Sequence, residues 1–188
     1  MVRNIVLTAI VFQTIGAVAM FLRWYVFGSL WNGISAGEAA WQAIFHSASA
    51  FNNAGFTIFP PDKIEGGSIA AFSGDYFILA LFSGLIILGG IGYLVIYEAV
   101  TVRRPSRFSI DTKLIVVGTV AALLAGAVLV FSLEFNRAGI LTERPFGEQV
   151  ADSFFQSAMS RTAGFTTIDW SETQEATNFS TMSLMFIG

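Results

Sequence analysis

The chain has 188 residues, of which 54% are hydrophobic and only 12% are charged, and its formal net charge is −3. A soluble domain of this size normally carries about a quarter charged residues, so this composition favours a membrane protein. The lack of cysteine excludes a disulfide scaffold and a thiolate metal site, the single histidine excludes a histidine cluster, and the negative charge provides no general attraction to nucleic acid.

Three stretches without a charged side chain are long enough to cross a bilayer, namely 5–22, 76–97 and 114–133. About 20 apolar residues, each rising 1.5 Å in a helix, span a hydrocarbon core of about 30 Å. The first stretch has a basic start and the sequence Ala-Val-Ala at 17–19, which is also typical of a cleaved signal peptide. We favour a retained helix, because the apolar residues continue past that site. In addition, the first and third stretches are separated by the same interval as the two copies of a tetrapeptide described below, and a cleaved peptide would have no reason to keep that spacing.

Two shorter apolar segments, 39–51 and 153–160, each lead into the tetrapeptide Ala-Gly-Phe-Thr. Segments of this length suit re-entrant or interfacial helices rather than spans. The tetrapeptides begin at Ala54 and Ala163, which are separated by the same interval as positions 5 and 114. The same interval also pairs Phe45 with Phe154. The chain is therefore a duplicated unit of spanning helix, short helix, tetrapeptide and spanning helix. We predict three parts: a first repeat over 1–100, a basic linker over 101–113, and a second repeat over 114–188 that is truncated in its last helix.

The linker "TVRRPSRFSIDTK" contains four basic residues and one acidic residue. Because short basic loops mark the cytoplasmic face of a membrane protein, this segment is predicted to be cytoplasmic. The loops on the opposite side are more acidic than basic, which is ordinary for a solvated surface but would also concentrate cations at an outer mouth.

The glycine of each tetrapeptide suggests irregular backbone at membrane depth. Such backbone must be buried in protein or line a watery cavity, because lipid cannot satisfy its polar groups. A short helix that ends there directs its negative dipole end toward the turn, and carbonyl oxygens beyond it could replace the water around a cation. Alternatively, the glycines simply cap two amphipathic interfacial helices. The residue types by themselves leave both interpretations open.

Three motifs carry a resemblance to a known family. The segments "FHSASAFNNAGFTIFPPD" (45–62), "ILGGIGYLVIYE" (87–98) and "FFQSAMSRTAGFTTID" (154–169) resemble the second and third repeats of the Trk/Ktr/HKT superfamily of potassium transporters. Members carry four helix–pore-loop–helix repeats around a single pore. The resemblance therefore implies an all-α membrane protein with potassium-channel-like repeats, of which the first and fourth are missing from this chain.

The resemblance also assigns residues. It implies a selectivity filter of backbone carbonyls that binds K⁺, formed by Asn53, Ala54, Gly55 and Phe56 in the first repeat and by Thr162, Ala163, Gly164 and Phe165 in the second. It implies filter support from Asn52, Thr57, Arg161 and Thr166. One glycine per turn suggests fewer ion sites than a potassium-channel filter has, and therefore a looser preference for potassium over sodium.

The function implied is uptake of potassium, or of sodium, across the cytoplasmic (inner) membrane by a multi-pass protein. The implied partners are the lipid bilayer, a second copy in a homodimer and a cytoplasmic nucleotide-binding regulatory subunit, with no covalent cofactor and no nucleic acid. One alternative is a secondary transporter or non-conducting subunit that binds another solute at broken helices. Another is a two-loop subunit that dimerises to supply four loops.

The remaining polar candidates have two interpretations each. Arg161 beside the second turn is expected to pair with an acid or to cap helix carbonyls, and direct control of ion access is the alternative. Asp152 is expected to interact with the dipole at the helix N-terminus, and ion binding is the alternative. His46 is expected to be a packed, hydrogen-bonded histidine, and pH sensing is the alternative. The sequence "GGIGY" at 89–93 predicts close helix packing or a bend rather than a dinucleotide loop. With no nucleophile–base pair, carboxylate dyad or phosphate loop, we predict that the chain is not an enzyme.

Overall fold

The computed structural model describes residues 2–28, 30–31, 33–64, 69–102, 104–135, 145–161, 163–168 and 173–187. Within these ranges the chain forms seven α-helices and no strand, which confirms the all-α prediction. In chain order the helices are α1 (Val2–Phe21), α2 (Ala36–Phe51), α3 (Tyr76–Ile91), α4 (Tyr93–Thr101), α5 (Ile110–Glu134), α6 (Phe146–Met159) and α7 (Glu175–Ile187).

Two helices are long and apolar enough to cross a membrane. Helix α1 continues through a π-helical turn, so that the helix Val2–Val26 has 25 residues, and α5 has the same length. Apolar side chains are exposed along both helices, as expected where lipid or neighbouring helices cover them. The predicted spans at 5–22 and 114–133 are therefore confirmed in helix length and composition.

The predicted span at 76–97 is not one straight helix. Helices α3 and α4 meet at Gly92 with a bend of 97°. The two helices count as a third span only if the bent pair is treated as a single membrane crossing. Gly92 has φ +90° and ψ 150°, a conformation that is available essentially only to glycine. The bend predicted from the "GGIGY" motif is thus present, and it divides an apolar stretch in which composition alone shows no break.

The short helices begin earlier than the apolar segments indicate. Helix α2 begins at Ala36, because the Ser35 hydroxyl accepts from the Glu38 amide at 3.2 Å while the Glu38 carboxylate accepts from the Ser35 amide at 3.2 Å. These bonds from Ser35 hold the pKa of the Glu38 carboxyl below its ordinary value. Helix α6 begins at Phe146 rather than at 153, with Glu148 in its first turn and a buried Asp152 within it.

Each short helix is joined to the first helix of its repeat by the same contact. The Ser47 hydroxyl donates to the Gln13 carbonyl at 2.7 Å, and the Ser157 hydroxyl donates to the Leu123 carbonyl at 2.7 Å. A Cβ on Gly16 would lie 2.5 Å from the Ser47 hydroxyl oxygen, and one on Gly126 would likewise overlap that of Ser157. Small residues therefore let the helices approach closely enough for these bonds.

These contacts correct the predicted correspondence between the repeats. The interval from Ser47 to Ser157, like that from Gly16 to Gly126, is one residue longer than the interval between the tetrapeptides. We call this longer interval the helix interval. At the helix interval the counterpart of Phe45 is the fully buried Phe155 and not Phe154, which is 37% exposed. The sequence comparison used the interval between the two tetrapeptides, which we call the turn interval. The turn interval is shorter for a structural reason that is described below.

Helix α3 connects the two repeats. It packs against α2 on one side and against α6 on the other, and its buried side chains Ile78, Phe82 and Ile86 belong to the central apolar cluster. A Cβ on Gly89 would overlap the Phe51 carbonyl oxygen, so α3 approaches the end of α2 backbone to backbone. This close packing was the other expectation for the "GGIGY" motif, and it places the carboxyl end of α2 directly against α3.

The third helix of each repeat is tied to the end of the first. The Arg23 guanidinium contacts the Asp75 carboxylate at 2.9 Å, and the same carboxylate accepts from the Ile78 amide at 3.2 Å to cap α3. In the second repeat the buried Glu134 carboxylate accepts from the Gln174 amide at 3.1 Å, next to the start of α7. Both contacts fix where the third helix begins.

Substitutions of Asp75 should separate its two contributions. Asp75→Asn keeps an acceptor for the Ile78 amide and loses only a partly exposed ion pair, so we expect a loss of about 0.5 kcal/mol. Asp75→Ala also loses the cap, which adds about 1 kcal/mol. Thermal unfolding in detergent should therefore rank wild type above Asp75→Asn and Asp75→Asn above Asp75→Ala. Equal midpoints for the two variants would contradict the role of the cap.

Candidate functional site

The two Ala-Gly-Phe-Thr turns, 54–57 and 163–166, lie against each other. A Cβ on Gly55 would lie 2.6 Å from the Ala163 carbonyl oxygen and 2.7 Å from the Gly164 Cα, and one on Gly164 would lie 3.0 Å from the Gly55 Cα. Gly55 has φ +74° and Gly164 has φ +78°, in the left-handed region. Both the conformation and the lack of space therefore require glycine at these two positions, and the turns meet backbone to backbone.

The structure brings together much of the predicted filter, with a difference between the repeats. Ala54, Gly55, Ala163 and Gly164 are at the contact, and Thr162 lies outside the described residues. The two phenylalanines have different surroundings. Phe165 is 4% exposed with its ring 5.2 Å from that of Phe82, whereas Phe56 is 69% exposed.

The connection from the short helix to the turn is one residue longer in the first repeat than in the second. The Ala54 amide donates to the Ser49 carbonyl, five residues back, at 2.8 Å, whereas the Ala163 amide donates to the Met159 carbonyl, four residues back, at 3.1 Å. The two acceptors are separated by the helix interval and the two donors by the shorter turn interval, so the correspondence changes at the end of the short helix. Asn53, just before the first turn, has φ +51°, a conformation that asparagine tolerates better than most residues.

Two side chains of the first repeat hold its turn to α2. The predicted supporting residue Asn52 donates through its side-chain amide to the Ala48 carbonyl at 2.8 Å and so caps the helix end. The Ser49 hydroxyl donates to the Phe56 carbonyl at 2.8 Å. One of the four carbonyls predicted to face an ion is thus engaged by the helix.

The chain beyond the first turn is held by α2 as well. The Gln42 side-chain amide donates to the Ile58 carbonyl at 3.2 Å, and the Ile58 amide donates to His46 Nε2 at 3.4 Å. His46 Nδ1 lies 2.8 Å from the Gln42 carbonyl, so this nitrogen carries the proton and Nε2 is the acceptor. The imidazole is fully buried and stacks on Phe59 with 3.9 Å between the ring centroids. His46 is therefore the packed, hydrogen-bonded histidine that we expected.

Gln156 of α6 holds the chain beyond the second turn. Its fully buried side-chain amide lies 3.0 Å from the Thr166 hydroxyl oxygen. With the carbonyl oxygen turned toward the chain, Gln156 accepts from the Thr167 amide at 3.0 Å and from the Ile168 amide at 3.2 Å. The predicted supporting residue Thr166 also donates through its hydroxyl to the Ile168 carbonyl at 2.7 Å.

Sequence reasoning missed Gln42, Ser49 and Gln156, which hold the chain at or beyond the turns, and also Ser47 and Ser157, which join the short helices to α1 and α5. Each is a buried polar side chain on a short helix. Comparing the repeats at the helix interval instead of the turn interval would have paired Ser47 with Ser157 and drawn attention to both. The remaining three have no matching residue type in the other repeat and gave no such signal.

The roles that we predicted for three further residues remain predictions, and the structure gives their positions. Arg161 is half-buried at the end of α6, where its backbone amide contacts the Ala158 carbonyl at 3.4 Å. Asp152 is fully buried on α6, and Thr57 is half-buried at the end of the first turn. Their proposed roles as charge partner, dipole partner and filter support remain predictions.

Taken together, the described residues define a duplicated all-α membrane protein whose two short helices end in glycine turns that touch. Comparison with known proteins identifies the family. The chain matches the TrkH family of cation transport proteins over residues 1–188, and it belongs to that family. This membership confirms the resemblance that the three sequence motifs carried.

Several relatives are potassium uptake proteins by name. The chain is 36% identical over 146 residues to Ktr system potassium uptake protein B of Bacillus subtilis, covering 78% of this chain and 32% of the relative. It is 34% identical over 195 residues to the protein of the same name from Vibrio alginolyticus, covering 100% of this chain and 39% of the relative. It is 32% identical over 180 residues to potassium/sodium uptake protein NtpJ of Enterococcus hirae, covering 96% and 37%. The chain thus spans about a third of the length of these relatives.

Proposed function

We propose that this chain is part of the pore-forming subunit of a system for potassium uptake across the cytoplasmic membrane. In this proposal, main-chain carbonyls of residues 53–56 and 162–165 contribute to a selectivity filter. The observation that carries the proposal is the direct contact between Gly55 and Gly164, which joins two equivalent turns at the ends of two short helices. The names of the Bacillus and Vibrio relatives support potassium as the ion.

The physical basis is the replacement of water by fixed carbonyl dipoles. A dehydrated cation needs several oxygen ligands, and main-chain carbonyls arranged around an axis can provide them. Helices α2 and α6 end at Phe51 and Met159, shortly before the turns, so their C-terminal partial negative charges add to the attraction for a cation. Carbonyls of the described turns that are bonded to side chains, such as that of Phe56, are positioned by those bonds.

Selectivity for potassium over sodium is proposed to be incomplete. Each turn carries a single glycine, and the Phe56 and Phe165 side chains differ in exposure, so the two turns do not present identical surfaces. The Enterococcus relative bears both potassium and sodium in its name. Sodium is accordingly proposed as a second, more weakly transported ion.

The basic linker is proposed to contact a cytoplasmic regulatory subunit that binds nucleotides, and the pore subunit is proposed to form a homodimer. In the described part of the linker, Arg104 and Arg107 are exposed. The Ser109 amide and hydroxyl donate to the Glu98 carboxylate at 2.6 and 2.8 Å, and the Lys113 ammonium donates to the Ser106 carbonyl at 3.0 Å. These bonds hold the linker between α4 and α5 in a defined shape, which favours recognition by a partner.

Expression of the complete gene that encodes this chain in a host lacking potassium uptake tests the proposal. We expect growth at low external potassium and uptake of K⁺, with weaker uptake of Na⁺. Purified protein in liposomes should conduct K⁺ when a potassium gradient is applied, and empty liposomes are the control. Flux of a different solute with no flux of K⁺ or Na⁺ would overturn the proposal in favour of the secondary-transporter alternative.

A further inference from the structure

Two buried polar side chains occupy equivalent places in the two repeats. His46 of α2 and Gln156 of α6 are separated by the helix interval, at which the short helices correspond, and both are fully buried. Each lies one residue before the serine that joins its short helix to the first helix of the repeat. The same helix position therefore carries an imidazole in one repeat and a carboxamide in the other.

The backbone groups that these side chains bind are also equivalent. His46 Nε2 accepts from the Ile58 amide at 3.4 Å, and the Gln156 carbonyl oxygen accepts from the Thr167 amide at 3.0 Å. Ile58 and Thr167 each follow the turn glycine by three residues, so they are separated by the turn interval. Both side chains thus bind the equivalent backbone amide of their repeat, although that amide lies one residue closer in sequence to Gln156 than to His46.

The two residues meet one chemical requirement by different means. In each repeat a backbone N–H beyond the turn needs an acceptor that a short helix supplies. Gln156 provides a carbonyl oxygen. His46 provides the unprotonated Nε2, which is available because Nδ1 donates to the Gln42 carbonyl at 2.8 Å. Stacking on Phe59 and edge contact with Trp24, 3.9 and 5.8 Å between centroids, fix the plane of the imidazole.

We infer that His46 and Gln156 are matched positioning residues that set the geometry of the two glycine turns, and through it the discrimination between potassium and sodium. This inference rests on the proposed function. Each side chain holds the chain three residues beyond the turn glycine and so limits how far that chain can move from its helix. A shift of a few tenths of an ångström in the carbonyls would change how well they fit the smaller ion.

Reciprocal substitutions in the complete protein test the inference. His46→Gln supplies the acceptor that the second repeat uses, and we expect it to keep the ratio of K⁺ to Na⁺ uptake within about twofold of wild type. His46→Leu and Gln156→Leu leave a backbone donor unpaired, and we expect each to lower that ratio at least about fivefold. The measurement is uptake of each ion in liposomes, with the other ion as competitor.

Ser47→Ala is the matched control. Ser47 is the next residue on the same helix, is equally buried, and bonds to the Gln13 carbonyl of α1 instead of to the chain beyond the turn. We expect this variant to lower the unfolding temperature while leaving the ion ratio unchanged. A merely structural role of His46 would give His46→Leu the same behaviour as Ser47→Ala.

The outcomes separate the inference from the proposed function. If wild type conducts K⁺ and His46→Leu keeps its ion ratio, the inference is wrong and the proposed function stands. If wild type conducts neither ion, both are wrong. Should His46→Leu fail to fold, Gln156→Leu decides. An ion ratio that falls in Gln156→Leu but not in Gln156→His supports the inference, and an unchanged ratio in Gln156→Leu overturns it. Faster hydrogen exchange of the Ile58 amide in His46→Leu than in His46→Gln is expected in addition.

Discussion

Replacing Gly55 with alanine is expected to lower potassium uptake at least about tenfold and to weaken selection against sodium. The added Cβ would lie 2.6 Å from the Ala163 carbonyl oxygen and 2.7 Å from the Gly164 Cα, and both of these atoms belong to the backbone of the other turn. No side-chain rotation can relieve such contacts, so the turns must separate. Overpacking of this kind typically costs about 1–3 kcal/mol, and a tenfold effect corresponds to about 1.4 kcal/mol.

Gly33→Ala is the matched control for this substitution. Gly33 has φ +78°, almost the same as the +74° of Gly55, but a Cβ there would meet no atom within 4 Å. Both variants therefore bear the cost of a left-handed alanine, roughly 1–2 kcal/mol, while only Gly55→Ala disturbs the contact between the turns. Uptake of K⁺ and Na⁺ by both variants is the measurement. Wild-type uptake and ion ratio in Gly55→Ala, or equal losses in both variants, would contradict the proposed filter.

Gly89→Ala is expected to destabilise the protein by several kcal/mol, the largest effect on folding that we predict. The added Cβ would overlap the carbonyl oxygen of Phe51 and also come within 2.8 Å of its carbonyl carbon. Because both atoms belong to the backbone at the end of α2, the two helices must move apart. This movement would also displace the first turn, which begins three residues beyond Phe51.

Gly84→Ala separates this contact from the effect of alanine in a helix. Gly84 lies on the same helix α3, and a Cβ there meets nothing within 4 Å. Alanine in a helix interior is favoured over glycine by roughly 0.5–1 kcal/mol, so this control should be as stable as wild type or slightly more stable. Thermal unfolding in detergent and the yield of monodisperse protein compare the variants. A Gly89→Ala midpoint equal to that of Gly84→Ala would show that α3 and α2 are not in close contact.

Features that depend on nearby residues could be predicted from the sequence. The spans α1 and α5 follow from long runs of apolar residues that no charged side chain interrupts. The glycine turns follow from a tetrapeptide that occurs twice, each time after a short apolar segment. Both signals are local, since helix length against bilayer thickness and the backbone freedom of glycine need no knowledge of the rest of the fold.

Features that depend on distant contacts could not be predicted in this way. Helix α6 extends back to Phe146 because its polar residues, including Asp152, are buried against other helices instead of ending the segment. The bend at Gly92 and the close approach at Gly89 have the same sequence cue, and only the packing of α3 assigns one role to each. The role of Gln156 is invisible in sequence because its counterpart is a histidine.

The sequence by itself therefore determined the class of the protein, its duplicated plan and the two glycines around which the proposed function is built. Only the tertiary structure decided that those glycines touch, that the repeats correspond at two different intervals, and which buried side chains hold the chain beyond each turn. The physical reason is that apolar length and glycine conformation are properties of a short segment. A close backbone contact or a buried hydrogen bond exists only when two segments distant in sequence are packed together.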